Sequence, residues 1–384
     1  MYPRVKPALA RAWRDRETVQ FGVTPAHAVV LGPVDTATGT LIDRIDGTRG
    51  MELLRAEAAG MGLPDGRADD VVRRLAGAGL LDDATAGGPR AQAVRRHPET
   101  VERLGPDLGS LSLVHREPGG DLRGVAARRV IRVRVRGSGR VGAVIAAVLA
   151  GAGVGRVEVL DGGRVEPADV APGGLDPGSV GRLRAEAAGK LVRASAPGRI
   201  PRAAQDEGPE PGLALVVVAP RDGLHAWAPD PDTAADWIAT GVPHLYAGVL
   251  EGTGLVGPLV LPGMTACAGC MERERVDRDA AWPRMLVQWR SAHRRRTGAA
   301  CDLGVSTAVA GLAAAHALSF LDGRLPASTA ARWETALPAL HWEHTPVRPH
   351  PGCPCGASAG SPAPPEYAGP AAEGGSGADR PEGP

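Results

Sequence analysis

Five cysteines stand in this chain of 384 residues, and four of them come as two close pairs, Cys267-Ala268-Gly269-Cys270 and Cys353-Pro354-Cys355. Two short-spaced pairs are a usual way to build a tetrahedral metal site, because each pair sits on one turn with both sulfurs aimed at the same ion. Zinc suits such a donor set, and four thiolates leave it no open position, so the expected role is structural. The second pair is C-x-C rather than C-x-x-C, and His350 is near enough in sequence to replace one thiolate. The fifth, Cys301, precedes an alanine-rich helical stretch from Gly304 to Leu321. A helix N-terminus lowers a thiol's pKa and favours the nucleophilic thiolate. The plain alternatives are unrelated free thiols and a packed cysteine at a helix start.

A second constellation is glycine-rich. Ile131 to Arg136 alternates apolar and charged residues and runs into Gly137-Ser138-Gly139-Arg140-Val141-Gly142, which opens the apolar stretch Ala143 to Ala150. This strand, G-x-G-x-x-G, helix order permits a tight turn with phosphate resting on the helix N-terminus. A second strand, Val157 to Leu160, ends in Asp161, about where an acid holding ribose hydroxyls belongs. From this segment alone, the plain alternative is a dinucleotide fold binding NAD.

These residues need elements to hold them. The length allows two domains with linkers. The hydrophobic fraction of 43% comes from Ala, Val and Leu, with aromatics at 3%, so the core must be packed from small aliphatics. Residues 1 to 84 read as one α+β unit. Thr18 to Val23 and Ala28 to Leu31 form a hairpin, Pro3 to Lys6 adds a third strand, and helices follow over Thr36 to Ile45, Met51 to Met61 and Ala68 to Ala78. That is a winged-helix-like layout. Residues 85 to 128, with Gly-Gly-Pro and Pro-Gly-Gly clusters, read as linker, and α/β alternation occupies residues 129 to 356. The Gly, Pro, Ala and Ser tail from 357 to 384 reads as disordered.

A formal net charge of +1 gives no basic excess for phosphate backbones or anionic membranes. The N-terminus has no apolar signal core, and the run near Val141 to Val154 is too short and glycine-rich to span a bilayer. The expectation is a cytoplasmic protein with reduced cysteines, binding neither nucleic acid nor membrane.

The second half resembles a known family. Gly151 to Asp161 followed by Arg164-Val165-Glu166-Pro167-Ala168-Asp169, together with Val180 to Ala185, Val256 to Gly263 and the cysteine pairs, is similar to the ThiF/MoeB/HesA superfamily of adenylyltransferases. The resemblance implies a Rossmann-like α/β domain with structural zinc, and ATP with magnesium as the ligand of an active member. It places Gly137, Gly139, Arg140, Gly142 and Asp161 at the nucleotide, and Arg184, Asp222 and Cys301 in catalysis. It also exposes departures: Asp169 and Pro172 align with the family's asparagine and arginine, Arg184 with a lysine, and Arg221-Asp222 with the metal-binding aspartate and asparagine, where a one-residue shift lets Asp222 serve.

Residues 1 to 84 resemble the PqqD-like peptide-recognition module, on Arg14-Asp15-Arg16-Glu17, Ile45 to Arg49 and Ala78 to Asp82. In that module a leader peptide adds a strand to the sheet edge beside the third helix. Val71, Val72 and Leu75 on that helix form a stripe able to line a groove. A DNA-binding winged helix needs a basic recognition helix, whereas Asp69 and Asp70 balance Arg73 and Arg74 here. Joined in this order, the two units resemble the leader-binding component of azoline-forming cyclodehydratases. The resemblance implies a precursor-peptide partner, a YcaO-type or other modifying enzyme, a homodimer and a degenerate adenylation site. The alternative is an active ATP-dependent adenylyltransferase acting on a C-terminal carboxylate.

Overall fold

The computed structural model describes residues 1–198, 212–293 and 300–357. Most of the tail expected to be disordered lies outside the described residues. In the first unit, β1 (Pro3–Val5) is followed by β2 (Arg11–Trp13), β3 (Val19–Phe21) and β4 (Val29–Leu31), then α1 (Thr36–Asp43), α2 (Met51–Gly60), α3 (Arg67–Gly77) and β5 (Leu81–Asp83). β2, β3 and β4 form an antiparallel sheet in that order. Its third strand is therefore Arg11–Trp13, not the opening Pro3 to Lys6, which pairs with β5 instead. Every residue of β2 is exposed, so it carries no apolar alternation to betray it. The three helices stand where the breaker clusters placed them. They close over Phe21, Leu41, Leu54, Leu75 and Leu80, all fully buried.

Residues 85 to 128, read as linker, are helical: α4 (Gly88–Arg95), α5 (Pro98–Arg103), α6 (Gly105–Val114) and α7 (Gly120–Arg128). They bury their own cluster of Ala91, Val94, Leu104, Leu111 and Val125. Glycine and proline here start short helices rather than abolish them: proline occupies the first turn of α4, α5 and α6, where its missing N–H is no loss.

The remainder is built on one seven-stranded mixed sheet. β6 (Arg132–Arg136), α8 (Arg140–Gly151), β7 (Arg156–Leu160), α9 (Arg184–Ser195), β8 (Leu213–Val218), α10 (Leu224–Trp227), α11 (Pro231–Ala239) and β9 (His244–Leu250) lead to β10 (Thr253–Val260). Then come α12 (Ala268–Arg278), α13 (Trp282–His293), α14 (Leu303–Leu321), β11 (Ala331–Ala336) and β12 (Glu343–Pro346). The strand order is β12-β11-β10-β9-β8-β6-β7, with β7, β6, β8 and β9 parallel and the rest antiparallel. Side-chain alternation decides the layers. Leu215 and Val217 face the cluster under α8 and α14, whereas Val216 and Val218 face the opposite cluster of Trp237, Tyr246 and the cysteines. α14 is apolar and long enough to cross a bilayer by composition, but it packs here on β9, β10 and α8 with Val305, Val309, Ala310, Ala313 and Ala317 buried.

Ion pairs mount the helical segment on this sheet. Arg128, at the end of α7, donates from Nε and a terminal nitrogen to the two oxygens of Asp322 at 2.8 and 2.6 Å, and from its other terminal nitrogen to the Ala152 carbonyl. Both partners are almost wholly buried, so removing one strands the other. Asp322→Ala should lose about 3–5 kcal/mol in denaturant unfolding, and Arg128→Met combined with Asp322→Leu should lose clearly less. Equal losses would show that the pair is not acting as a buried unit.

Candidate functional site

The glycine turn lies at the C-terminal ends of the parallel strands, where open α/β sheets take ligands. Gly137 has φ of +103°, and a Cβ there would fall 2.1 Å from the Ala219 carbonyl oxygen. A Cβ on Gly142 would fall 2.1 Å from the Gly137 carbonyl oxygen. These two glycines are demanded by the fold itself. Asp161 follows β7, and its Oδ2 accepts from the Ser138 backbone N–H at 2.7 Å and the Ser138 hydroxyl at 2.8 Å. It therefore stands at the turn, as its spacing implied, and braces it.

Gly139 has a different neighbour. A Cβ on it would meet the Arg221 Cγ at 2.9 Å, so the stem of Arg221 lies directly on the second glycine of the turn. The head of Arg221 donates from Nε to Asp169 Oδ1 at 2.6 Å and from a terminal nitrogen to Glu166 Oε2 at 2.9 Å. Arg184, the first residue of α9, meets the other oxygens: Nε to Asp169 Oδ2 at 3.0 Å and a terminal nitrogen to Glu166 Oε1 at 3.1 Å. Two carboxylates and two guanidinium groups thus alternate in a closed, charge-neutral ring around Asp169, which is 3% exposed. Burial works against the charge of Arg221, but its hydrogen bonds to Glu166 and Asp169 outweigh it and hold its pKa above the usual arginine value. Arg140 is engaged too, with the Ala168 and Cys301 carbonyls at 2.8 and 2.7 Å.

The structure thus brings Gly137, Gly139, Arg140, Gly142, Asp161 and Arg184 together, with the side chains of Arg140, Asp161 and Arg184 bonded to protein groups. The two arginines of the ring are paired to acids, and the stem of Arg221 lies over the glycine that a phosphate would approach in such a turn. Asp222 is not in the ring. It accepts from the backbone N–H of His225 at 3.3 Å and pairs with the His225 ring at 2.7 Å, which raises the histidine's pKa despite partial burial. Glu166 and His225 had no assigned role in the sequence. Their only signals were the capping-box spacing Glu166-x-x-Asp169 and the three-residue spacing Asp222 to His225, both common in turns.

Cys301 does not itself cap the helix. The helix cap is Asp302, which accepts from the Val305 N–H at 2.9 Å, and Cys301 precedes it, packed against the main core. Burial pushes its thiol up, and nearby Arg140 only partly offsets this. The activated thiolate expected at a helix N-terminus is not what this environment favours.

The four paired cysteines do converge. Cys267 caps α12, Cys270 lies in its first turn, and Cys353 and Cys355 follow β12. Sulfur separations are 3.9 Å for Cys267–Cys270, 3.6 Å for Cys267–Cys353 and 3.6 Å for Cys270–Cys355, with all four within 4.8 Å. Thiolates about 2.3 Å from a tetrahedral ion stand about 3.8 Å apart, so the cluster fits a metal. The hydrogen bond to Cys270, and then burial, push the Cys267 thiol up; without a cation the group does not hold four thiolates. His350 is not needed as a ligand, since its Nε2 pairs with Asp277 at 2.8 Å.

The ThiF family model matches residues 121–355 of this chain. The chain belongs to the ThiF family. No curated protein matches it by sequence. Among solved structures, Escherichia coli MccB with selenomethionine MccA is similar at 15% identity and a TM-score of 0.61, over 93% of this chain and 99% of that one. E. coli MccB with ATP gives 15% identity, 92% and 99% coverage and a TM-score of 0.61, and PaaA gives 16%, 90%, 100% and 0.66. At these identities the likeness is one of fold, and it runs through the first unit as well as the ThiF domain.

The environment of Cys301 makes a specific demand on reactivity. Its peptide should be alkylated by iodoacetamide at pH 7 more slowly than free cysteine, as followed by mass spectrometry. A faster rate would restore the activated thiol.

Proposed function

We propose that this ThiF-family protein binds a precursor peptide through its first unit and presents it to a YcaO-type or other modifying enzyme in ribosomal peptide maturation, on an adenylation site that has lost turnover. The observation that carries the reading is the outer edge of β4. The Gly22 N–H bonds to the Ala10 carbonyl and the Arg14 N–H to the Thr18 carbonyl, so Thr18, Gln20 and Gly22 direct their backbone groups at β2. Antiparallel alternation then turns Val19 and Phe21 toward Leu31 and Val29, which leaves the Val30 N–H and C=O facing outward. No strand covers that edge among the described residues.

Helix α3 flanks the same edge, because Arg74 donates to the Gly32 carbonyl at 3.0 Å. Val71, Val72 and Leu75 do not line an open groove as expected; all three are buried in the core, which leaves strand addition as the source of affinity. MccB, similar over nearly its whole length, is described as a microcin C7 biosynthetic enzyme and is solved with N-formylated MccA. The rival reading, an active adenylyltransferase, keeps the glycine turn and Asp161 in its favour, but the paired arginines speak against it.

Val30→Pro removes the outward donor while sparing the pairing to β3. In the full-length protein it should weaken binding of the precursor encoded beside this gene by about tenfold, measured by calorimetry. Unchanged affinity would move the peptide elsewhere.

The metal of the cysteine cluster is, on this reading, one structural zinc per chain. Cys267→Ser with Cys270→Ser should abolish the zinc found by elemental analysis and lower the melting temperature sharply, because metal binding is coupled to folding. Unchanged metal content would refute the site.

A further inference from the structure

We infer that Arg221 is an internal cation that decides what the glycine turn can bind: its stem occupies the space over Gly139 and its head neutralises Glu166 and Asp169. The inference rests on the closed-crevice reading and deepens it by naming the residue responsible. In a glycine-rich turn of this kind the second glycine lets a phosphate reach the backbone at the helix N-terminus. Here the group that reaches Gly139 is Arg221, with the Cγ 2.9 Å from where a Cβ would stand. The first and last glycines come closest to backbone oxygens of the fold, whereas the second comes closest to the Arg221 side chain.

The charges of the ring cancel, with Glu166 and Asp169 against Arg184 and Arg221. All four carboxylate oxygens bear a guanidinium hydrogen bond, so within the ring neither a divalent cation nor a polyphosphate finds an unpaired group of opposite sign. Removing one positive member leaves two carboxylates facing one guanidinium, a pair of oxygen donors suited to a hard divalent ion. Removing one negative member leaves two guanidinium groups facing one carboxylate, a geometry suited to phosphate oxygens. Arg221 is only a third exposed, whereas Glu166 is more than half exposed, so the second change is tolerated by the fold even where the first is not.

Arg221→Gln and Glu166→Gln test this in the full-length protein. Manganese binding, read by electron paramagnetic resonance, should tighten about tenfold in Arg221→Gln, and inorganic pyrophosphate binding, read by calorimetry, should tighten about tenfold in Glu166→Gln. Adding Asp169→Asn to Arg221→Gln should reverse the manganese gain. If Glu166→Gln, or both variants, stay within about twofold of wild type, Arg221 is not the gate. If wild type itself binds manganese–ATP tightly, the closed crevice fails with it. An inert wild type with unresponsive variants overturns only the role of Arg221.

Discussion

A carboxylate taken out of water must be given charged or hydrogen-bonding partners, and Asp169 is taken almost wholly out of water. Its partners are Arg184 from α9 and Arg221 from the loop after β8, and each reaches on to Glu166. Once Arg221 bonds to Asp169, its stem has to cross Gly139, and the phosphate end of the crevice is covered. The course of this loop and its contact with the glycine turn thus follow from satisfying one buried acid. The charge of both arginines is spent within the protein, on Asp169 and Glu166.

A second constraint works at the other side of the sheet. The two cysteine pairs lie 86 residues apart in sequence between Cys267 and Cys353, yet their sulfurs meet at 3.6 Å. Any ion held there ties the start of α12 to the segment after β12, across the antiparallel half of the sheet. The chemistry of the two faces is therefore divided. One closes on an ion pair network and the other on thiols, while β4 lies in a separate layer with its own core.

Much of this was legible in the residues. Strict alternation from Ile131 to Arg136 gave β6, and the glycine turn and Asp161 came together because strand, turn and helix are local and their spacing is fixed by geometry. The cysteine pairs were legible for the same reason. The helices of residues 88–128 were not, since proline and glycine at helix starts look like loop punctuation until packing is known. β2 was hidden by its exposed residues. Arg221 could be seen as a departure from the family, but its bond to Asp169, 52 positions earlier, is a tertiary fact. For Cys301 the sequence offers both an activated thiol and a packed cysteine at a helix start, and the burial that bears on the choice is a tertiary fact.

On the proposed reading the crevice does not turn over ATP although the chain keeps the ThiF fold. It is tested most directly by ATP–pyrophosphate exchange with full-length protein, magnesium and the neighbouring precursor peptide. The account predicts exchange indistinguishable from a no-protein control. Exchange at about one turnover per second, an ordinary enzymatic rate, would contradict it and make the protein an active adenylyltransferase.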